Sequence, residues 1–228
     1  MQKVLFTHKI KSKHKEELKK AKFEFDSVPF IVTRTKDFDA NVVNTEQKEA
    51  WIFTSKKAVE SVAKKIDHLT VPELVFAVGS STKEKLSELG IDSITPIQFT
   101  TGHLVYKILE YPVRSCTYFR GNMTALDLSD ELKENDIKVN EVEVYETSLT
   151  SQKVNVKDYN AVVFLSPSAF TSFCEMNDPT ELNTVFCIGS TTAEVVQRSY
   201  SRLIVTPENF TFADLIKTIN QKFKNVLS

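Results

Sequence analysis

The chain repeats itself once, and that repeat narrows the possible folds more than any other feature. Residues 50–62, AWIFTSKKAVESV, lie over residues 161–173, AVVFLSPSAFTSF. The offset is 111 (161 minus 50), and it matches Ala50 with Ala161, Phe53 with Phe164, Ser55 with Ser166 and Ala58 with Ala169. Further on, VFAVGSST (75–82) lies over VFCIGSTT (185–192) at 110, and TPIQFTTGHLVYKI from Thr95 over TPENFTFADLIKTI from Thr206 at 111. Two units of about 110 residues therefore share one plan. After Ser55, the residues Ala58, Val59, Val62, Ala63 and Ile66 recur at helical spacing, and Ala169, Phe170, Phe173 and Cys174 do the same after Ser166. The runs before them, WIF and VVF, are continuous rather than alternating, as strands covered on both faces of a parallel sheet require. Strand, serine, helix, given twice, predicts an α/β chain of two similar parallel-sheet domains.

With 41% hydrophobic and 26% charged residues the chain has enough apolar material to pack a core in each unit. Its formal charge of −1, from 29 basic and 30 acidic residues, gives no overall field to attract nucleic acid or an anionic membrane. Any anionic ligand must be held by local donors. No run approaches the roughly 20 apolar residues that span a bilayer. The opening MQKVLFTHKIKSKHKEELKK has no secretory-type apolar stretch, so a cytoplasmic location is expected. The cysteines, Cys116, Cys174 and Cys187, are odd in number and far apart, and the last two fall in apolar runs; they read as core residues. His8, His14, His68 and His103 show no metal-ligand spacing, and no metal is expected.

Other elements follow from local patterns. VLF at 4–6 reads as a first strand, the charged stretch Lys13 to Lys22 as a solvated helix, and SDELKEN from Ser129 as another. VPFIVTRT (28–35) and VNEVEVYET (139–147) alternate apolar with polar and read as strands exposed on one face. The polar segments 36–48 and 149–158 read as loops. Ser81 with Glu84, and Thr191 with Glu194, fit the capping box and predict helix starts there. Ser81 and Thr191 are equally readable as caps alone or as caps that also face a ligand.

Ligands of open α/β sheets bind beyond the carboxyl ends of the strands, where helix starts offer free N–H groups and the positive end of the dipole. Those ends here are FTSKK (53–57), VGSST (78–82), FRGN (119–122), LSPSA (165–169) and IGSTT (188–192). Small hydroxylic and glycine residues let a ligand approach the main chain, which suits several carboxylates or phosphates. There is no GxxxxGK[ST] phosphate loop, no GxGxxG fingerprint and no GxSxG elbow. Nucleotide hydrolysis, dinucleotide binding and covalent hydrolase chemistry lose their main supports.

The order FTSKKAV, VFAVGSST, FRGN, VEVYET, FLSPSAF, VFCIGSTTAE and FTFADL resembles the uroporphyrinogen-III synthase family over nearly the whole chain. Each motif is loose; their order and spacing are specific. The resemblance implies two α/β domains joined by a two-stranded linker, the first domain being discontinuous. On that expectation domain 1 is 1–30 with 149–228, domain 2 is 37–139, and the linker strands are 28–36 and 139–148. It also implies the reaction: hydroxymethylbilane loses its hydroxyl to give an azafulvene-type cation, and the ring closes with inversion of the terminal pyrrole through a spiro intermediate. No metal or organic cofactor is implied. The substrate's eight carboxylates would be held in an interdomain cleft by main-chain N–H and hydroxyl groups, and catalysis would be largely positioning.

The family's cleft motifs fall on Thr54, Ser55, Lys56, Ser80, Thr82, Gly121, Asn122, Ser166, Ser168, Ser190, Thr191 and Thr192 as substrate-binding residues. Tyr145, in VEVYET, matches the family tyrosine assigned to helping the hydroxyl leave; a phenol at a strand end can be a general acid, or can only pack. Lys56 and Arg120 could pair with substrate carboxylates or be solvated charges. One departure is that many members carry Arg after the first strand, where VLFTHKI offers His8 and Lys9. Lysine replaces the charge but not the forked geometry, and His8 reads as incidental. A monomer is expected, as neither half shows a spare apolar stripe. The rival reading is a two-lobed polyanion or small-ligand binding module, a sensor without chemistry. A nucleotide-sugar transferase-like fold has no paired-carboxylate metal motif to support it.

Overall fold

The apolar runs that precede each repeated serine form the middle of two sheets in a computed structural model that describes residues 2–45, 48–123 and 127–224. In chain order the strands are β1 (Lys3–Phe6), β2 (Glu24–Ser27), β3 (Ile31–Thr35), β4 (Ala50–Phe53), β5 (Leu74–Ala77), β6 (Ser115–Gly121), β7 (Lys138–Leu149), β8 (Ala161–Phe164), β9 (Val185–Cys187) and β10 (Ile204–Val205). The helices are α1 (Lys15–Leu18), α2 (Ala40–Thr45), α3 (Lys56–Val62), α4 (Ser80–Ser87), α5 (Thr101–Leu109), α6 (Asp127–Glu134), α7 (Pro167–Cys174), α8 (Ser190–Gln197) and α9 (Phe212–Lys224).

The chain divides into unit 1, Met1–Val32 with Ser148–Ser228, and unit 2, Thr33–Thr147. It passes from one to the other within β3 and again within β7. Unit 1 holds the sheet β10-β9-β8-β1-β2, whose neighbouring strands all run parallel. The other sheet has the order β3-β7-β6-β4-β5, with β7, β6, β4 and β5 parallel.

Each sheet buries apolar side chains on both faces, which is why its central strands carry no polar alternation. In unit 1, Leu5, Val162, Phe164 and Cys187 pack on one side with α7 and α8, and Val4, Phe6, Val163 and Phe186 on the other with α9. Unit 2 repeats this with Trp51, Phe53 and Phe119 against α3 and α4, and Ile52, Phe76 and Tyr118 against α5 and α6. A fully buried Phe or Ile contributes about 1.5–3 kcal/mol, so these layers dominate the stability of each unit. Cys116 and Cys187 lie in these cores as free thiols, and burial pushes both up to about 12.

Three local expectations change. The stretch Lys13 to Lys22 gives only a 3-10 turn at Ser12–His14 and the four residues of α1. Leu18 is the buried apolar residue of this stretch, too little anchorage for a longer helix that draws its stability from packing. Segments 36–48 and 149–158 are not purely loops, because buried Val43 secures α2 and buried Val156 begins a 3-10 turn at Val156–Asp158. Finally, the capping box does not mark the start of α4 or α8. Gly79 and Gly189 occupy the cap positions, two residues earlier, with extended backbones and no side-chain cap. Phe99 packs on Gly79, where an added Cβ would stand 3.3 Å from its ring, and Phe210 packs on Gly189 at 3.4 Å. At Gly79 that tight aromatic contact takes the space a capping side chain would need.

Candidate functional site

Parallel strands leave a sheet on one side, so in each unit the loops singled out by sequence come together at one carboxyl edge. Unit 2 collects there Thr54, Ser55 and Lys56 after β4, Ser80 and Thr82 at the start of α4, Arg120, Gly121 and Asn122 at the end of β6, and Tyr145 in β7. Unit 1 collects Ser166 and Ser168 after β8, and Ser190, Thr191 and Thr192 at the start of α8.

These residues are not equivalent once placed. Ser80, Ser190 and Thr191 are exposed at helix starts, whereas Thr82 and Thr192 are only 3% and 4% exposed and face the unit interiors. Ser55 and Ser166 are the true N-caps, accepting from the Ala58 and Ala169 amides at 3.1 and 3.2 Å. Lys56 is exposed on the first turn of α3. Thr54 exchanges a 2.9 Å hydrogen bond with the hydroxyl of Tyr118, a core phenol whose burial pushes it up to about 12.

Arg120 is 7% exposed and forms an ion pair with Glu141, while its Nε donates to the Gly121 carbonyl at 3.2 Å. Burial alone would raise the Glu141 carboxyl, but hydrogen bonds from Ser129, Arg120 and Lys133 outweigh it and hold the group at about 2. A guanidinium so engaged is structural first. Asn122 is likewise committed: its Oδ1 accepts from the Thr147 amide at 2.8 Å and its Nδ2 donates to the Thr147 carbonyl at 3.2 Å.

Tyr145 is fixed from three directions. Its ring lies across Gly121 so closely that a Cβ there would be 2.3 Å from Cε2 and 2.4 Å from Cζ, so no other residue fits without moving the ring. Its hydroxyl accepts from Ser55 Oγ at 3.2 Å. Two residues further on, the Asn122 clamp holds the strand that carries it. None of the partners Gly121, Glu141 and Thr147 is visible as a partner in the sequence, since each depends on the β6–β7 register that pairs Gly121 with Tyr145.

In unit 1, His8 follows β1 with both ring nitrogens buried and without hydrogen-bond partners. Desolvation, then the nearby charges of His14 and Lys11, lower it to about 4, and its ring packs edge-on against Phe6 and Phe212. The imidazole that follows β1 is therefore neutral near pH 7. Among the described residues no group of His, Cys, Asp and Glu could hold a metal ion, and no helix is long and apolar enough to cross a membrane.

Fold and site together define an α/β protein of two parallel-sheet units, each presenting amide and hydroxyl donors at one sheet edge, with a phenol seated at the edge of unit 2. The family model described as Uroporphyrinogen-III synthase HemD matches residues 12–217, and the chain belongs to that family of cyclising lyases in tetrapyrrole synthesis. Its activity is accordingly that of a uroporphyrinogen-III synthase. Among solved structures it is similar to a mutant uroporphyrinogen III synthase from Thermus thermophilus, at 15% identity and a TM-score of 0.72 over 100% of this chain and 99% of that one. A uroporphyrinogen-III synthetase from Helicobacter pylori is similar at 16% identity and a TM-score of 0.62, with both chains fully covered. At such identities these likenesses speak for the fold alone. No curated protein sequence matches significantly.

Proposed function

We propose that unit 2 carries the chemistry and that both carboxyl edges carry the binding. The substrate is hydroxymethylbilane, closed with inversion of its terminal ring and loss of water, and Tyr145 is the general acid that protonates the departing hydroxyl. The observation that supports this is its seat: a phenol held on Gly121 and by Ser55 at the edge where an open α/β sheet takes its ligand. The substrate's carboxylates are taken up by main-chain amides and by the exposed hydroxyls of Ser80, Ser190 and Thr191, helped by Lys56 and by Ser166 and Ser168. Thr54, Thr82, Thr192, Arg120 and Gly121 shape these edges from within, and exposed Asn122 clamps the end of β6 to β7. β3 and β7 serve as the linker between a discontinuous first domain and a contiguous second. The enzyme works as a cytoplasmic monomer and needs no cofactor.

Purified protein given freshly made hydroxymethylbilane should yield the inverted type III ring with nothing added. Spontaneous closure gives type I, so a product containing only type I would reject the reading. Tyr145→Phe should lower kcat about 100-fold, in the range general acids contribute. Any single Ser→Ala change at an exposed hydroxyl should cost far less. A Tyr145→Phe enzyme as fast as the wild type would remove the acid role while leaving the binding edges untouched.

A further inference from the structure

Counting protons around Ser55 gives it a task that its neighbours do not share. A serine hydroxyl has one hydrogen to donate and two lone pairs to accept with. The Ala58 amide donates to Ser55 Oγ at 3.1 Å as the cap of α3, which fixes the side chain and occupies one lone pair. The one hydrogen is donated to the Tyr145 hydroxyl oxygen at 3.2 Å. The phenol oxygen thus accepts, and its own hydrogen is left over for another partner. Ser166, the matching cap in unit 1, shares a 3.1 Å contact with Ser168 Oγ instead. Thr54 is also engaged elsewhere, with Tyr118.

We propose that Ser55 is a positioning residue for ring closure: held by the cap, it donates to the Tyr145 oxygen and so aims the phenolic hydrogen at the substrate's departing hydroxyl. This deepens, and rests on, the reading of Tyr145 as the acid. In the step, the Tyr145 O–H bond breaks as its proton passes to the hydroxyl oxygen, and the carbon–oxygen bond breaks with its electron pair going to oxygen. Water leaves, the azafulvene-type cation remains, and the phenolate oxygen stays bonded to the Ser55 hydroxyl. The proton lost from the pyrrole carbon that forms the new carbon–carbon bond restores the phenol. Donors that meet charge as it develops act on turnover rather than on binding.

The test is a double-mutant cycle on the full chain with hydroxymethylbilane as substrate. Ser55→Ala should lower kcat about threefold to tenfold, as the net worth of one hydrogen bond allows, with KM within about twofold. Ser55→Thr, which keeps both cap and hydrogen, should restore it. Ser55→Asp caps a helix as well as Ser but has no hydrogen to give, so its kcat should fall like that of the Ala variant while its thermal midpoint stays near the wild-type value. In a Tyr145→Phe background Ser55→Ala should cost nothing more. A Ser55→Asp enzyme with wild-type kcat, or a Ser55→Ala penalty undiminished in the Tyr145→Phe background, would overturn the proposal even if Tyr145→Phe alone is slow. A fast Tyr145→Phe enzyme would strike the acid reading first, which keeps the two failures distinct.

Discussion

At matching positions the two units put opposite solutions to the same electrostatic problem. The repeat places Phe53 over Phe164, and β4 pairs Phe53 with Phe119, while β8 pairs Val163 with Phe6, one residue before its own Phe164. Carrying that register forward makes Thr7 the counterpart of Phe119 in the repeat, and His8 that of Arg120. Unit 2 buries a cation there and matches it with Glu141. Unit 1 buries an imidazole that stays neutral. The neighbouring strand differs too: β7 runs on past Gly121 to bring Tyr145 across it, whereas β2 stops at Ser27, whose hydroxyl donates to the His8 carbonyl. Shared scaffolding thus fixes where hydroxyls and amides sit, and one strand's extra length decides which unit holds the phenol.

Substituting the strand-turn glycines should separate the units most widely. Gly121→Ala drives a Cβ into the Tyr145 ring and should lower kcat about 100-fold, the scale of a reacting group displaced by about 1 Å. Gly189→Ala meets Phe210 at an ordinary 3.4 Å, so its kcat should stay within about threefold of wild type. Equal losses in the two variants would erase the contrast. Next, Glu141→Gln removes the carboxylate that pairs with the buried Arg120 guanidinium and should destabilise the fold by about 2–3 kcal/mol in urea titrations at pH 7.

His8 supplies the pH-dependent counterpart. Its value in the fold, about 4, lies below the imidazole's ordinary 6.5, so between the two the unfolded chain binds the extra proton. Its contribution is whole above pH 6.5 and is lost as pH falls toward 4, on the order of 1–2 kcal/mol at pH 5. His8→Gln should flatten that part of the stability curve, and an unchanged slope would show that the ring is not held neutral. Smallest of all, Ser166→Ala removes a cap and should cost about 1 kcal/mol, with kcat within about threefold of wild type.

How much of this was legible in sequence depends on how local each cause is. Strand, cap and helix around Ser55 and Ser166 involve neighbours within a few residues, and the apolar runs and hydroxyls announce them. β2, with the sequence EFDS, has three polar residues and an exposed Phe25 and exists because β1 pairs with it, so no apolar run signals it. The carboxyl edges could be located from the loops, but not which residues face outward: Thr82 and Thr192 turn inward while Ser80 and Ser190 do not. The seat of Tyr145 joins residues 24 positions apart (145 minus 121), and the Arg120–Glu141 pair joins residues 21 apart. Such partnerships appear only once strands have a register.

Unit 2 is a single uninterrupted stretch, whereas β1, in the interior of the unit 1 sheet, must wait for β8 to flank it on the side away from β2. On a ribosome the inner unit has all its strands by Leu149, before residue 161 of β8 has been made. The opening strand meanwhile lacks that neighbour, and a slow decoding stretch placed between those points would lengthen its exposure to cellular chaperones.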